Sequence, residues 1–178
     1  MFSLIVAHDN NYGIGKNNLM PWPFNKEDMR QFKNKTTGNK NNSVIMGLNT
    51  FKSLNNKPLK YRMNYVLTSK ANDYNNNNDI SNLFFVSSYE ELFSKIKNEK
   101  HETNWIIGGE RVYKEFIEKY FNLLNEIHIT KIFENYDCDV YFPNIFENNI
   151  IKDNIKVKEK ENKIINNCNY IIYSISKT

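Results

Sequence analysis

"NWIIGGERVYKEFIEKYF", Asn104 to Phe121, decides the fold. A short run rich in Trp and Ile reads as a buried strand, two glycines break it, and a helical pattern follows. A strand that passes through glycine into a helix aims backbone N–H groups and a helix N-terminus at one point, which suits a phosphate. Arg111 adds a charge-assisted contact there. The stretch is not a P-loop, since no Gly-Lys-Ser/Thr follows, and it lacks the three-glycine dinucleotide fingerprint. Alone, it reads more simply as a tight strand-to-helix turn. "VIMGLNTF", Val44 to Phe51, repeats the pattern: a buried strand, Gly47, then a short helix with Thr50 near its start. Two such turns in one parallel sheet open at the same strand edge, where α/β sheets bind ligands.

Outward from these turns, strands and helices alternate. Residues 2–8 form a continuous apolar run feeding the polar loop "HDNNYGIGKNN". Residues 26–35 read as a helix on which Asp28, Phe32 and Lys35 share a face. Strands are expected at 42–47, 63–69, 83–86, 104–109 and 126–133, and helices at 48–54, 88–98 (capped by Ser88) and 110–121. The Asn-rich run 72–79 reads as a solvated loop. "NIKVKEKE" and "CNYIIYSIS" are two further strands, separated by the polar spacer "NKIINN". The pattern predicts one α/β domain over residues 1–178 with a mainly parallel sheet and an antiparallel edge.

Composition narrows the function. Hydrophobic residues make up 40% of the 178-residue chain, and no apolar run approaches the ~20 residues of a membrane span. The N-terminus has no basic region and is too short for a signal peptide. The net charge of +4 comes almost wholly from Lys, beside an Asn excess of the kind A/T-rich coding gives. No basic stripe with interleaved aromatics points to nucleic acid. Cys138 and Cys168 have no His or Cys at metal spacing, which predicts a reduced, cytoplasmic setting and no metal.

"MPWPFNKEDMRQF", Met20 to Phe32, sets Glu27 beside Asp28. A carboxylate near a helix start is usually there for the dipole. The two lie about 100° apart around a helix, so only one can join the apolar face. Asp28 shares that face with Phe32, and an acid there signals a site. In "KPLKYRMN", Arg62 is read either as a surface arginine or as a clamp for a carboxylate.

These segments together resemble dihydrofolate reductase. "GIGKNNLMPWPFNKED" is similar to that family's mobile loop and first helix; "VIMGLNTFKSL", "PLKYRMNYVLTS", "WIIGGERVY", "IHITKIF" and "DVYFP" match further blocks in order, from about Phe2 to Pro143. The resemblance implies a central mixed eight-stranded sheet flanked by helices. It also implies NADPH-dependent reduction of 7,8-dihydrofolate to tetrahydrofolate, in support of one-carbon metabolism, and binding of antifolates such as methotrexate. Asp28 stands six residues after Trp22 and four before Phe32, as the family's pterin-binding acid does. Thr130 is implied to hold Asp28, and Trp22 and Met20 to belong to the catalytic loop. Ile5, Val6, Phe32, Leu54 and Ile107 are implied around the pterin and benzoyl groups, with Arg62 on the folate α-carboxylate. Ala7 and Ile14 are implied near the nicotinamide. Gly47, Leu48, Asn49, Thr50, Leu67, Thr68, Ser69 and Lys70 are implied on one side of the cofactor. Ile107, Gly108, Gly109, Glu110, Arg111, Val112 and Tyr113 are implied on the other, with the Gly-Gly peptide cis.

The chain departs from the family pattern at Leu48, where an Arg or Lys usually binds the cofactor's 2′-phosphate; Thr68, Ser69 and above all Lys70 are the candidates to replace it. Glu110 stands where a smaller residue is common, and Phe51 where Trp is. His8, His101 and His128 fit no catalytic arrangement, and Cys138 is expected to be inert. A riboflavin-type pterin or pyrimidine reductase of the same fold is disfavoured by Trp22, Asp28 and Arg62. No missing residue favours a folate-binding module without catalysis. The expected state is a monomer without a fused thymidylate synthase domain.

Overall fold

The computed structural model describes residues 1–76, 79–146, 155–165 and 167–177. At its centre lies β1 (Phe2–His8), whose consecutive apolar residues are buried because both faces of the strand are covered. Around it runs an eight-stranded sheet of order β5-β4-β3-β6-β1-β7-β10-β9. Its strands are β3 (Asn42–Gly47), β4 (Arg62–Leu67), β5 (Leu83–Val86), β6 (Asn104–Gly108), β7 (Leu124–Ile132), β9 (Ile155–Ile165) and β10 (Cys168–Lys177). Pairing is parallel from β5 through to β7, while β10 runs antiparallel to both β7 and β9. The expected mixed sheet with an antiparallel end is therefore present.

The helices cover both faces. α1 (Lys26–Thr37) starts at Asn25, whose side chain accepts from the Asp28 N–H, and ends at Gly38, with φ of 49°. α2 (Leu48–Ser53) and α5 (Glu110–Lys119) follow the two glycine turns, and α4 (Tyr89–Asn98) starts at its Ser88 cap. One core, from Leu4 and Val6 to Phe116 and Ile127, lies under α4 and α5; a second gathers Ile5, Val44, Met46, Phe51 and Trp105 on the opposite face. Alternation along β1 sends successive side chains to different cores.

Three local expectations are corrected. The Asn-rich segment contains a short helix, α3 (Ala71–Asn75). Ala71 is buried, the Tyr74 ring stacks on Phe85 at 4.6 Å, and the Asn75 amide bonds both backbone groups of Phe85. The supposed spacer "NKIINN" largely belongs to β9, which pairs with β10 as far as Cys168↔Ile165. β9 is an edge strand whose many exposed Lys and Glu blunt further pairing; the strand expected in "NIKVKEKE" is there, and it runs on to Ile165. On α1 the inward residues are Asp28 and Thr36, while Lys35 is exposed. A second small sheet, β2 (Gly13–Gly15) with β8 (Val140–Tyr141), was not foreseen because each strand is too short to carry a pattern.

Candidate active site

The two glycine turns lie side by side. A Cβ on Gly109 would stand 3.2 Å from Thr50 Oγ1, and one on Gly47 would stand 3.4 Å from Val112 Cγ2. A Cβ on Gly108, at φ of 106°, would strike the Tyr113 ring. The Gly108–Gly109 peptide is cis. Both helices that follow begin on a glycine with no side-chain cap, so first-turn N–H groups remain open to an anion. Glycine cradles backed by uncapped helix starts fit the phosphates of a dinucleotide. Glu110 and Arg111 are exposed at the start of α5, so the acid points outward. Asn49, Ser69 and Lys70 are exposed, and Leu48, Thr50, Leu67 and Thr68 half-buried, along the edge formed by the ends of β3 and β4.

Next to this edge, α1 presents Asp28 to the end of β7. The carboxyl is 7% exposed, and burial raises its pKa; the Thr130 side chain, hydrogen-bonded to it, opposes that shift. Glu27 has the opposite surroundings. It accepts from Arg30 at 2.6 and 2.9 Å and from Gln31 at 2.9 Å, which lowers its pKa to about 2. Two adjacent acids thus titrate apart because one faces the sheet and the other an arginine.

Of the expected apolar wall, Ile5, Phe32, Leu54 and Ile107 pack in one cluster. Val6 turns its side chain into the other core, leaving only backbone toward the site. Tyr113 is buried, and its hydroxyl donates to the Ile5 carbonyl at 2.8 Å. Burial and the nearby Asp28 charge push its phenol pKa up.

Trp22 is buried with Ile132 and Cys168, against Ala7 and an edge-on Tyr136 ring at 5.9 Å. In the loop before it, Leu19 and Met20 are 64% and 48% exposed, whereas Ile14 packs on the main core. At the outer end, Arg62 is 7% exposed; its Nε donates to the Lys60 carbonyl at 3.1 Å and Nη1 to Thr36 Oγ1 at 2.7 Å. It lines a cavity of about 320 Å³ with Leu54, Leu59 and the cations Lys33, Lys57 and Lys60. That set suits a carboxylate on an apolar stem.

The histidines serve structure: His8 Nδ1–H donates to the Asp9 carbonyl, and His128 pairs with Glu126. His101 meets the Tyr65 hydroxyl at 3.3 Å. No group of metal-binding side chains occurs among the described residues. Two contributors went unread in the sequence. Asn25 caps α1 at Asp28, and Asn three residues before an acid at a helix start was the available signal. Asp9 is fully buried and had no periodic signal at all.

Comparisons with known proteins bear on the family and the fold. A family model described as dihydrofolate reductase matches residues 1–175. The viral dihydrofolate reductase of Saimiriine herpesvirus 2 (strain 488) is 34% identical over 155 residues, covering 82% of this chain and 70% of the viral protein. The dihydrofolate reductase of Bos taurus is 33% identical over 151 residues, covering 79% of this chain and 78% of the bovine one. The bifunctional dihydrofolate reductase-thymidylate synthase of Paramecium tetraurelia is 36% identical over 146 residues, which are 82% of this chain but 29% of that longer protein. In fold, the chain is similar to a solved dihydrofolate reductase from Enterococcus faecalis, with a TM-score of 0.76, 24% identity, and coverage of 99% and 97% of the two chains. With a buried acid on its first helix, paired glycine turns at one sheet edge and a match along nearly its whole length, this chain belongs to the dihydrofolate reductase family.

Proposed function

We propose that the chain reduces 7,8-dihydrofolate to 5,6,7,8-tetrahydrofolate with NADPH. The observation that carries this reading is Asp28: a carboxyl 7% exposed beside an apolar wall, with its pKa raised by burial. NADPH, when bound, supplies the hydride taken up at pterin C6. Asp28 offers two oxygens to the amidine-like N3 and 2-amino edge of the pterin, and Thr130 orients it. Its charge favours the protonated pterin, and water admitted past the Met20 loop delivers the proton to N5. Ile5, Phe32, Leu54 and Ile107 exclude other water from the rings. Arg62 takes the folate α-carboxylate through its remaining N–H groups. The turns at Gly47–Thr50 and Gly108–Tyr113 would hold the cofactor's phosphates, with Leu67–Lys70 toward the 2′-phosphate. Closure of the loop bearing Met20 gates turnover.

The same reading makes the chain a cytoplasmic monomer inhibited by antifolates such as methotrexate. In support, both cysteines are free and buried, and no helix among the described residues is long and apolar enough to cross a membrane. The test is oxidation of NADPH followed by nicotinamide absorbance. Dihydrofolate-dependent loss of absorbance that methotrexate abolishes is expected. Methotrexate binding without turnover would reduce the chain to a folate-binding module.

A further inference from the structure

The segment between β1 and β2 contains a carboxylate that the reaction does not use. Asp9 is 0% exposed, and no ion pair reaches it among the described residues. A buried charge without a counter-ion persists only when hydrogen bonds replace its water. Asp9 has them, and they divide by oxygen. Oδ1 accepts the N–H groups of Asn11 at 2.8 Å and Gly13 at 2.7 Å, both on the way into β2. Oδ2 accepts the Tyr136 N–H at 2.9 Å and the Cys138 thiol at 3.8 Å, both on the segment from β7 to β8.

Packing closes around this carboxylate. A Cβ on Gly13 would overlap Cys138 Sγ and lie 3.1 Å from Asp9 Oδ1, so only glycine fits there. The Asp9 backbone is fixed as well, since its carbonyl accepts from His8 Nδ1 at 2.6 Å and the His8 ring stacks on Tyr12 and Phe142. Farther out, the same two segments meet again: Asp139 N–H donates to the Gly15 carbonyl at 3.0 Å, and Asn17 N–H to Asp139 Oδ2 at 2.9 Å. Those contacts lie toward the rim, where Asn17 and Asp139 are exposed. Asp9 is the buried root of the junction.

We propose that Asp9 is a positioning residue that joins the base of the loop bearing Met20 to the β7–β8 segment and so sets how that loop stands over the site. It acts through the backbone of residues 11–15 and touches neither substrate nor cofactor. Its catalytic consequence rests on the reductase reading; the junction itself does not.

Asn is the informative substitution, because it keeps the volume but not the acceptors. An amide has one oxygen, so its NH₂ must face the N–H donors of one segment, donor against donor. Asp9→Asn should therefore release one segment and weaken its hold on the other. The first measurement is amide hydrogen exchange of the free protein. Faster exchange in both 11–17 and 134–141, with β1 unchanged, is expected; change confined to one segment or to neither overturns the junction. The second is the single-turnover hydride-transfer rate with NADPH and deuterated NADPH. A fall of about tenfold or more is expected, with a smaller change in KM for dihydrofolate, since misplacement of a supporting group acts on the reacting geometry. Loosened segments with an unchanged transfer rate and isotope effect would leave Asp9 a purely structural residue and overturn the proposal. If Asp9→Asn does not fold, Cys138→Ala and Cys138→Ser replace it: Ser keeps a donor for Oδ2 and Ala does not. Slower transfer in Ala alone supports the proposal, and equal rates in both overturn it. A wild-type chain that fails to oxidise NADPH with dihydrofolate defeats the reductase reading, while hydrogen exchange still decides the junction.

Discussion

Tyr113 and Ile5 are joined by a buried hydrogen bond, hydroxyl to carbonyl, of 2.8 Å. The bond ties the helix after the Gly-Gly turn to β1, which carries Ile5 of the proposed pterin wall. Tyr113→Phe leaves a buried carbonyl without its donor, at a cost of about 1–3 kcal/mol. For a domain of this size, that is a fall in Tm of roughly 2–4 °C per kcal/mol. Thermal unfolding checks the loss, and single-turnover hydride transfer should slow with it.

Asp28→Asn should slow hydride transfer at neutral pH by about 10²–10³-fold, the scale of removing a preorganised electrostatic group. Glu27→Gln should remain within a few-fold of wild type. Comparable losses in the two variants would refute the assignment of Asp28.

The same pair predicts opposite effects on stability. Burial raises the folded-state pKa of Asp28 above its ordinary 3.8. Its neutral form therefore favours folding below pH 3.8, and that advantage is lost as pH rises through the folded value. Asp28→Asn should accordingly be more stable than wild type at neutral pH, with the gap closing in acid. Glu27 is depressed from 4.5 to about 2, so its contribution is present above 4.5 and disappears as pH falls toward 2. It is half-buried beside an exposed Arg30, and salt should partly screen the pair. Denaturant melts across pH at two ionic strengths distinguish the two.

Leu48 cannot pair with a 2′-phosphate, and Lys70 is the exposed cation at the end of the neighbouring strand. Lys70→Ala should raise KM for NADPH by about tenfold, the worth of one hydrogen bond to a charged group, and leave KM for NADH unchanged. Leu48→Arg should shift preference further toward NADPH. Equal efficiency of the two cofactors in the wild type would show that no 2′-phosphate site exists.

Arg62→Leu should raise KM for dihydrofolate by roughly 10–100-fold with kcat nearly unchanged, because the tail carboxylate is bound alike in ground and transition states. Thr36→Val, which removes the partner of Nη1, should give a smaller change in the same direction.

Much of this was legible along the chain. Helical phase, together with the family's spacing from the acid to Phe32, separated Asp28 from Glu27, because a 100° step cannot place both on one face. The glycine turns, the Ser88 cap and the buried strands are local patterns, set by backbone freedom, capping and alternation of apolar residues. Tertiary structure decided what depends on distant partners. The start of the Asn-rich run, as far as Asn75, is helical because Tyr74 and Asn75 found Phe85. β9, expected only as far as Glu161, continued to Ile165 because β10 supplied partners for Asn162–Ile165. The sequence placed two glycine turns at one sheet edge, but only packing put Gly109 against Thr50. Asp9 is the plainest case: nothing near it in sequence marks a buried carboxylate, since half its hydrogen bonds come from Tyr136 and Cys138, on the far side of the sheet's topology. Local order follows from nearest neighbours, whereas burying a charge depends on donors that only the folded chain brings together.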